Sequence, residues 1–411
     1  MEETSTSSYR WVVLLLATLV QVGVSILQQA PPALGPVLIE DLGLSRAQVG
    51  LLSSAIWGGM LLTMLPVGLL IDRHGERRII MAGVTAMALL ALWAAQLSTF
   101  AWLLALFVLA SLGASSSAPG GSKAIAAWFP RSQRGGAMGI RQTGVTVGGL
   151  VAALLLPPVA VGLGWAAGLQ LAAGVALFTV LCFALFYREL PAAAGEHAIG
   201  VTNPQRVPVN SIIRNPSFLA TTGYAFVLMG AQGAAASYLA LSLHEEVHLS
   251  VVAAGAFLAV FQVGGIVGRV GWGIISDRAG RRRPVMVLVG LVAMASCLAM
   301  VFAKEGIALP LVAIFAFLLG CSVMGWNGVY LTLLAESVPI HAAATAMGAS
   351  LTIAFVGMFL ASPLFGLVAD MTGSYGASWL GLAGWTVVGT ALGMLVRETQ
   401  ESTKGHAHEG R

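Results

Sequence analysis

The chain has 411 residues, of which 57% are hydrophobic and only 9% charged, and its mean hydropathy is +0.87. A water-facing surface needs more polar residues than that, so the composition excludes a soluble globular protein and points to a polytopic membrane protein. The net charge of +4 does not indicate a nucleic-acid binder, because the basic residues form short clusters between apolar runs and no continuous basic face.

The chain opens on a polar tail, residues 1–10, and the apolar run after it lacks a small-residue cleavage pattern, so no cleavable signal peptide is expected. About 20 apolar residues cross a bilayer. Runs of that length predict twelve transmembrane helices, over 11–33, 47–71, 79–98, 101–127, 135–158, 165–187, 217–243, 251–275, 284–303, 307–334, 345–369 and 377–396. Residues 188–216 break the pattern with Pro191, Pro204 and Pro208 and read as a cytoplasmic linker. It joins a six-helix bundle over 11–187 to a second over 217–396, with a tail over 397–411. The fold class is all-α. Lys and Arg set the orientation: segments on the side of both termini hold 16 of the 21, the opposite loops only Arg46 and Lys304. Both termini are expected in the cytoplasm, and the protein in the inner (plasma) membrane.

On helix one, Gln21, Ser25 and Gln28 fall at i, i+4 and i+7, a polar stripe ahead of Pro31-Pro32, which are expected to disturb the helix. Between helices two and three stands Gly68-Leu-Leu-Ile-Asp72-Arg73-His-Gly75-Glu-Arg77-Arg78. It recurs 205 residues later, between helices eight and nine, as Gly273-Ile-Ile-Ser-Asp277-Arg278-Ala-Gly280-Arg281-Arg282-Arg283. A second repeat sets Trp128-Phe129-Pro130 and Ala137-Met138-Gly139, before helix five, beside Val338-Pro339 and Ala346-Met347-Gly348, before helix eleven. Two homologous halves follow, with the cargo site between them. Asp72 and Asp277 lie at helix ends, where a carboxylate pairs with a neighbouring Arg or caps an adjacent helix N-terminus; breaking that contact lets the halves rock. The plainer reading is that these arginines only anchor the loops.

Three cations fall inside predicted helices: Lys123, Arg141 and Arg269. A charge within a span costs at least ~2.5–3.5 kcal/mol, so it normally faces a cavity or a partner. Gln262 lies seven residues before Arg269 on the same face, and Gln142 adjoins Arg141. One cation from each half would clamp an anion. The plain alternative is snorkelling, to which Lys123, near a helix end, is most open. Helix seven adds Tyr224 and Gln232; helix ten adds Asn327 and Tyr330. These neutral polar groups serve either as ligand contacts or as interhelical glue. Trp57 and Trp326 read as packing, as does the small-residue run Gly113 to Ser122 around Pro119 on helix four. Cys182, Cys297 and Cys321 lie singly in apolar runs, and His406 and His408 in the tail, so no metal site or disulfide framework is expected, nor any cofactor.

Twelve helices, two halves, a long central loop and the duplicated G-x-x-x-D-R-x-G block resemble the major facilitator superfamily over nearly the whole chain. The loop Trp128 to Gly139 resembles its anion-handling bacterial branches, and Gly268-Arg269-Val-Gly-Trp272 to Arg278 is similar to helix eight of the oxalate/formate, monocarboxylate-like and cyanate or nitrate permease groups. The resemblance implies that Asp72, Arg73, Gly75, Arg77 and Arg78, with Asp277, Arg278, Gly280, Arg281 and Arg282, form a conformational latch. Where many proton-coupled members carry a basic residue on helix four, this chain has Leu109, and helix five lacks the antiporter-type proline.

No Asp, Glu or His sits in the middle of a predicted span, and no nucleophile or carboxylate pair appears at membrane depth, so an enzyme is not expected. Broken, Gly-rich helices in two repeats suit alternating access better than a channel. The expected function is secondary transport of a small organic anion, a carboxylate, by exchange or anion/proton symport, by a monomer whose partners are that anion and the bilayer. Multidrug or metabolite efflux, or permeation of an inorganic anion, are the alternatives.

Overall fold

The computed structural model describes residues 2–189, 215–336 and 343–396. Most of the expected linker, Val338-Pro339, and the tail with His406 and His408 lie outside the described residues. The described chain is helical, with no strand. The helices are α1 (Glu2–Gln28), α2 (Ala30–Leu42), α3 (Arg46–His74), α4 (Glu76–Ala94), α5 (Phe100–Ala114), α6 (Ser117–Trp128), α7 (Arg131–Leu163) and α8 (Trp165–Phe186). They continue as α9 (Pro216–Glu246), α10 (Val251–Ala279), α11 (Arg282–Val301), α12 (Leu309–Val323), α13 (Asn327–Glu336), α14 (Ala343–Thr372) and α15 (Tyr375–Leu395). Among the described residues, 11 stretches are long and apolar enough to cross a membrane, and 12 when the two arms of α3, bent by 58° ahead of Pro66, count as one span. The protein is an all-α polytopic membrane protein.

Three spans are broken in the middle, and each break has a local cause. The first span runs on to Leu42, past the end expected at residue 33. Its break falls at Gln29, and Pro31 and Pro32 open α2, where a missing N–H costs nothing because the first-turn donors have no intrahelical partner. Between α5 and α6, Ser115 and Ser116 turn their hydroxyls back onto the carbonyls of Leu112 and Gly113, at 2.6 and 2.7 Å. Between α12 and α13 the chain turns through Met324 to Trp326, which leaves the Met324 carbonyl free to accept from side chains.

The first six spans and the last six touch along two main seams, α3 against α14 and α7 against α10, with α2 also packed on α9. Glycines set the spacing. A Cβ added at Gly50 would stand 2.8 Å from the Ser362 carbonyl, at Gly58 2.7 Å from the Phe359 ring, and at Gly255 2.6 Å from the Ala153 carbonyl. Small residues thus let the backbones approach, as membrane helix packing requires. Near the other ends of the same helices, a Cβ at Gly68, Gly139 or Gly348 would meet nothing within 4 Å. Both seams are closed toward the end of the bundle that carries Arg46 and open toward the end that carries Asp72 and Asp277.

Candidate functional site

Arg141 stands on α7 and is only 3% exposed. Its guanidinium donates to Gln21 Oε1 at 3.1 Å, Gln142 Oε1 at 3.2 Å and Ser122 Oγ at 3.3 Å, and its Nε is buried without a partner. Gln21 Oε1 also accepts from Ser117, at 3.2 Å, and the Gln21 amide donates to Ser25, at 3.3 Å. Every acceptor in this cluster is neutral. Arginine does not deprotonate in proteins, so a full positive charge sits among dipoles with no counter-charge.

Arg269 stands on α10, where the helix crosses the broken span at a glycine contact: a Cβ at Gly268 would lie 2.7 Å from Cys321 Cα, and one at Gly325 2.8 Å from Gly268 Cα. This approach brings Arg269 Nε to 3.2 Å from the free Met324 carbonyl, which also accepts from Asn327 Nδ2 at 3.3 Å. Among the described residues neither Arg141 nor Arg269 makes a salt bridge.

Register along the α7/α10 seam places the two cations at one depth. Gly255 packs on Pro157, and Gly149 packs on Gln262, a Cβ there lying 2.5 Å from Gln262 Nε2. The helices are therefore antiparallel, with eight residues of α7 matched to seven of α10. One more step of the same size reaches Arg141 and Arg269, ~12 Å and ~10 Å further along their helices at 1.5 Å per residue. Gln262, 1% exposed with both amide atoms unpartnered, lies one such step nearer the Arg46 end.

The other expected ligand contacts are not brought to these cations. Tyr224 is buried and donates to the Met286 carbonyl at 2.9 Å; Tyr330 donates to Ser350 at 2.6 Å. Both hydroxyls act as glue within the last six spans. Gln28 donates to Met60 Sδ at 3.0 Å. Trp57 stacks on Phe355 across the α3/α14 seam, and Trp326 is buried against Tyr224 and Tyr330. Lys123 reaches away from Arg141 to the Ile71 carbonyl at 3.1 Å and to Asp72 at 3.2 Å, so its charge belongs to the bundle end.

That end holds the duplicated block. Asp72 pairs with Lys123, and Asp277 with Arg282. Arg77 donates to the Ala184 carbonyl at 2.7 Å, and Glu76 accepts from Tyr187 at 2.7 Å, a hydroxyl that burial and the Glu76 carboxylate push far above its usual range. Gly75 and Gly280 take the positive φ angles, 85° and 61°, that the turns require. Arg73, Arg78, Arg278 and Arg281 are exposed. The Asp72–Lys123 and Asp277–Arg282 pairs each stay within one set of six spans.

The opposite end is locked across the sets of spans by residues that sequence reasoning missed. Arg46 binds Glu245 through Nε at 2.9 Å, donates to the Ala369 carbonyl at 3.1 Å and lies over the Tyr375 ring. Its backbone carbonyl accepts from Tyr238 at 2.6 Å. Asp370 accepts the backbone N–H groups of Arg46 and Ala47, at 3.1 and 2.9 Å, and so caps α3 from the far side of the seam. Glu40 lies 3.0 Å from His244. The only trace in the sequence was Arg46 itself, one of two basic residues in loops otherwise free of them.

A sequence profile described as Major Facilitator Superfamily matches residues 13–362 and 243–409. An uncharacterised MFS-type transporter of Mycobacterium tuberculosis is 27% identical over 90% of this chain and 81% of its own length. The hexuronate transporter of Bacillus subtilis is 23% identical over 88% of each chain. Among solved structures, a bacterial homologue of the human lysosomal transporter Spinster, in an inward-facing and occupied conformation, superposes with a TM-score of 0.78 at 20% identity, covering 94% of this chain and 97% of that one.

Proposed function

This chain belongs to the Major Facilitator Superfamily, and from that membership we propose that it carries a small organic anion, a carboxylate, across the cytoplasmic membrane by alternating access. The observation that carries the proposal is the pair of arginines, Arg141 and Arg269, at one depth on two helices from different halves. Among the described residues neither has a counter-charge. An anion entering between them would supply the missing charge, and as the halves rock each arginine would release it in turn. Seams spaced by glycine at one end and open at the other are what such rocking needs. The hexuronate transporter among the relatives handles, by its name, a carboxylate. In this reading both termini and the Asp72 end face the cytoplasm, the Arg46 end faces outward, and the duplicated block is the latch that reseals the inner end.

The test is counterflow in liposomes with labelled small carboxylates, and with cyanate and nitrate beside them. The expected result is saturable exchange of at least one carboxylate that is lost in Arg269→Ala and Arg141→Ala. Transport that survives both substitutions sinks the clamp. Uptake of the inorganic anions alone, or efflux of uncharged drugs alone, sinks the substrate class. A proton ionophore separates exchange from symport.

A further inference from the structure

The outward lock contains one contact whose chemistry depends on a proton. His244, near the end of α9, has Nδ1 2.7 Å from the Leu249 carbonyl and Nε2 3.0 Å from the Glu40 carboxylate on α2. Both ring nitrogens thus face acceptors. A neutral imidazole carries one N–H and can serve only one of them; the other contact then sets lone pair against lone pair. The geometry is complete only when the pair holds one additional proton, as an imidazolium beside a carboxylate or as a neutral ring beside a carboxylic acid.

The other charged groups at this end have partners of their own or, like Asp41, face solvent. Glu245 holds Arg46 and the Tyr375 hydroxyl, and Glu246 holds Lys304, Ser374 and the Tyr375 backbone N–H. Asp370 caps α3; Asp41, beside Glu40 on α2, is exposed. The second histidine of this end, His248, lies 3.7 Å from Glu305, and both belong to the last six spans. Among the described residues, Glu40 and His244 are the pair across the halves in which a histidine meets a carboxylate.

We propose that Glu40 and His244 form a proton-binding site that exists only while the Arg46 end is closed. When the halves part at this end, Glu40 leaves with the first six spans and His244 with the last six, and the site is divided. Proton binding and closure are therefore linked: both contacts of the ring are satisfied only with the extra proton, so the ratio of closed to open falls as pH rises. One proton sets the ceiling, about tenfold per pH unit. Glu40 stays 58% exposed on the side it faces, so the proton is drawn from that compartment and returned to it. The site biases which way the protein faces and does not itself carry protons across. It depends on the closed end alone, not on the nature of the cargo.

The test uses full-length protein in lipid nanodiscs, with Cys182, Cys297 and Cys321 replaced and spin labels on Ser98→Cys and Ala308→Cys. Both positions are exposed, stand at the Arg46 end in different halves, and lie outside the Glu40–His244 contact. Pulsed electron resonance distances are collected between about pH 5 and 8, the span in which a histidine changes charge. The short-distance population is expected to fall with rising pH, and the slope to vanish in His244→Gln, whose amide offers Glu40 a donor at every pH, and in Glu40→Gln. His248→Gln is expected to keep the slope. A slope that persists in His244→Gln, a slope lost in His248→Gln, or no slope in the parent protein would each overturn the proposal.

Discussion

Replacing Asp370 by Ala would loosen the outward lock by an amount the geometry allows one to state. The first turn of α3 has its own capping box: Ser45 Oγ accepts from the Gln48 backbone at 3.2 Å, and the Gln48 side chain accepts from the Ser45 N–H at 2.9 Å. That leaves the N–H groups of Arg46 and Ala47, and the Asp370 carboxylate takes both from across the seam. Losing a helix cap costs about 0.5–2 kcal/mol, and losing a carboxylate at a helix N-terminus about 0.3–1 kcal/mol. Both losses fall on the closed state, because in the open state water reaches the two donors. A total of about 1–3 kcal/mol moves the ratio of closed to open by roughly 5- to 150-fold. Ser54 reports the change: it lies four residues from both Gly50 and Gly58 on the seam-facing side of α3, is fully buried, and has an unpartnered hydroxyl. A cysteine there, in a background without Cys182, Cys297 and Cys321, should react with a membrane-impermeant thiol reagent only through the open state. Its labelling rate from the Arg46 side is expected to rise by the same factor in Asp370→Ala. An unchanged rate in a protein that still folds would refute the cross-seam cap.

Gly50→Ala should act in the same direction, because the new methyl would meet the Ser362 carbonyl at 2.8 Å, and backbone yields less easily than a side chain; the same labelling assay reads it. Gln21→Leu removes an acceptor from the buried Arg141 and should cost about 1.5–3 kcal/mol, seen as a lower melting temperature. Most of that loss should be absent when the change is made on top of Arg141→Met, a non-additivity that a double-mutant cycle measures. Tyr224→Phe should lower stability by about 1 kcal/mol through its lost bond to Met286 and leave the substrate KM unchanged, whereas a ligand-binding hydroxyl would raise KM. Lys123→Gln and Asp72→Asn, which break one exposed pair, should each cost less than about 1 kcal/mol and should not add when combined.

What could be read in the sequence was whatever a single helix declares about itself. Arg141 and Arg269 stood out because a cation in an apolar run is costly wherever the helix points. Their shared depth did not, since it depends on how α7 and α10 register against each other. The polar residues separate on the same ground: Tyr224 and Asn327 look alike as polar groups in a span, yet one is fastened to Met286 and the other lies beside Arg269. A stripe gives the face but not the neighbour. Ser122 and Ser117 were read as packing because a serine among glycines and alanines shows no sign of an arginine 19 or 24 residues away. Arg46 was the largest omission, and its partners, 199 and 324 residues further on, explain why. The first span overran its expected end because Pro31 and Pro32 were weighed as helix breakers, when proline in a first turn begins a helix as readily as it ends one.

The unequal glycines of the two seams have a further meaning. Those near the Arg46 end are used up in this conformation, while Gly68, Gly139 and Gly348 touch nothing. If the halves rock the other way, these idle glycines become the close-approach points and the others fall slack. One sequence then carries the contact surfaces of two structures, each blank where the other is written, and larger side chains at the idle positions should leave this conformation intact while closing off the one it alternates with.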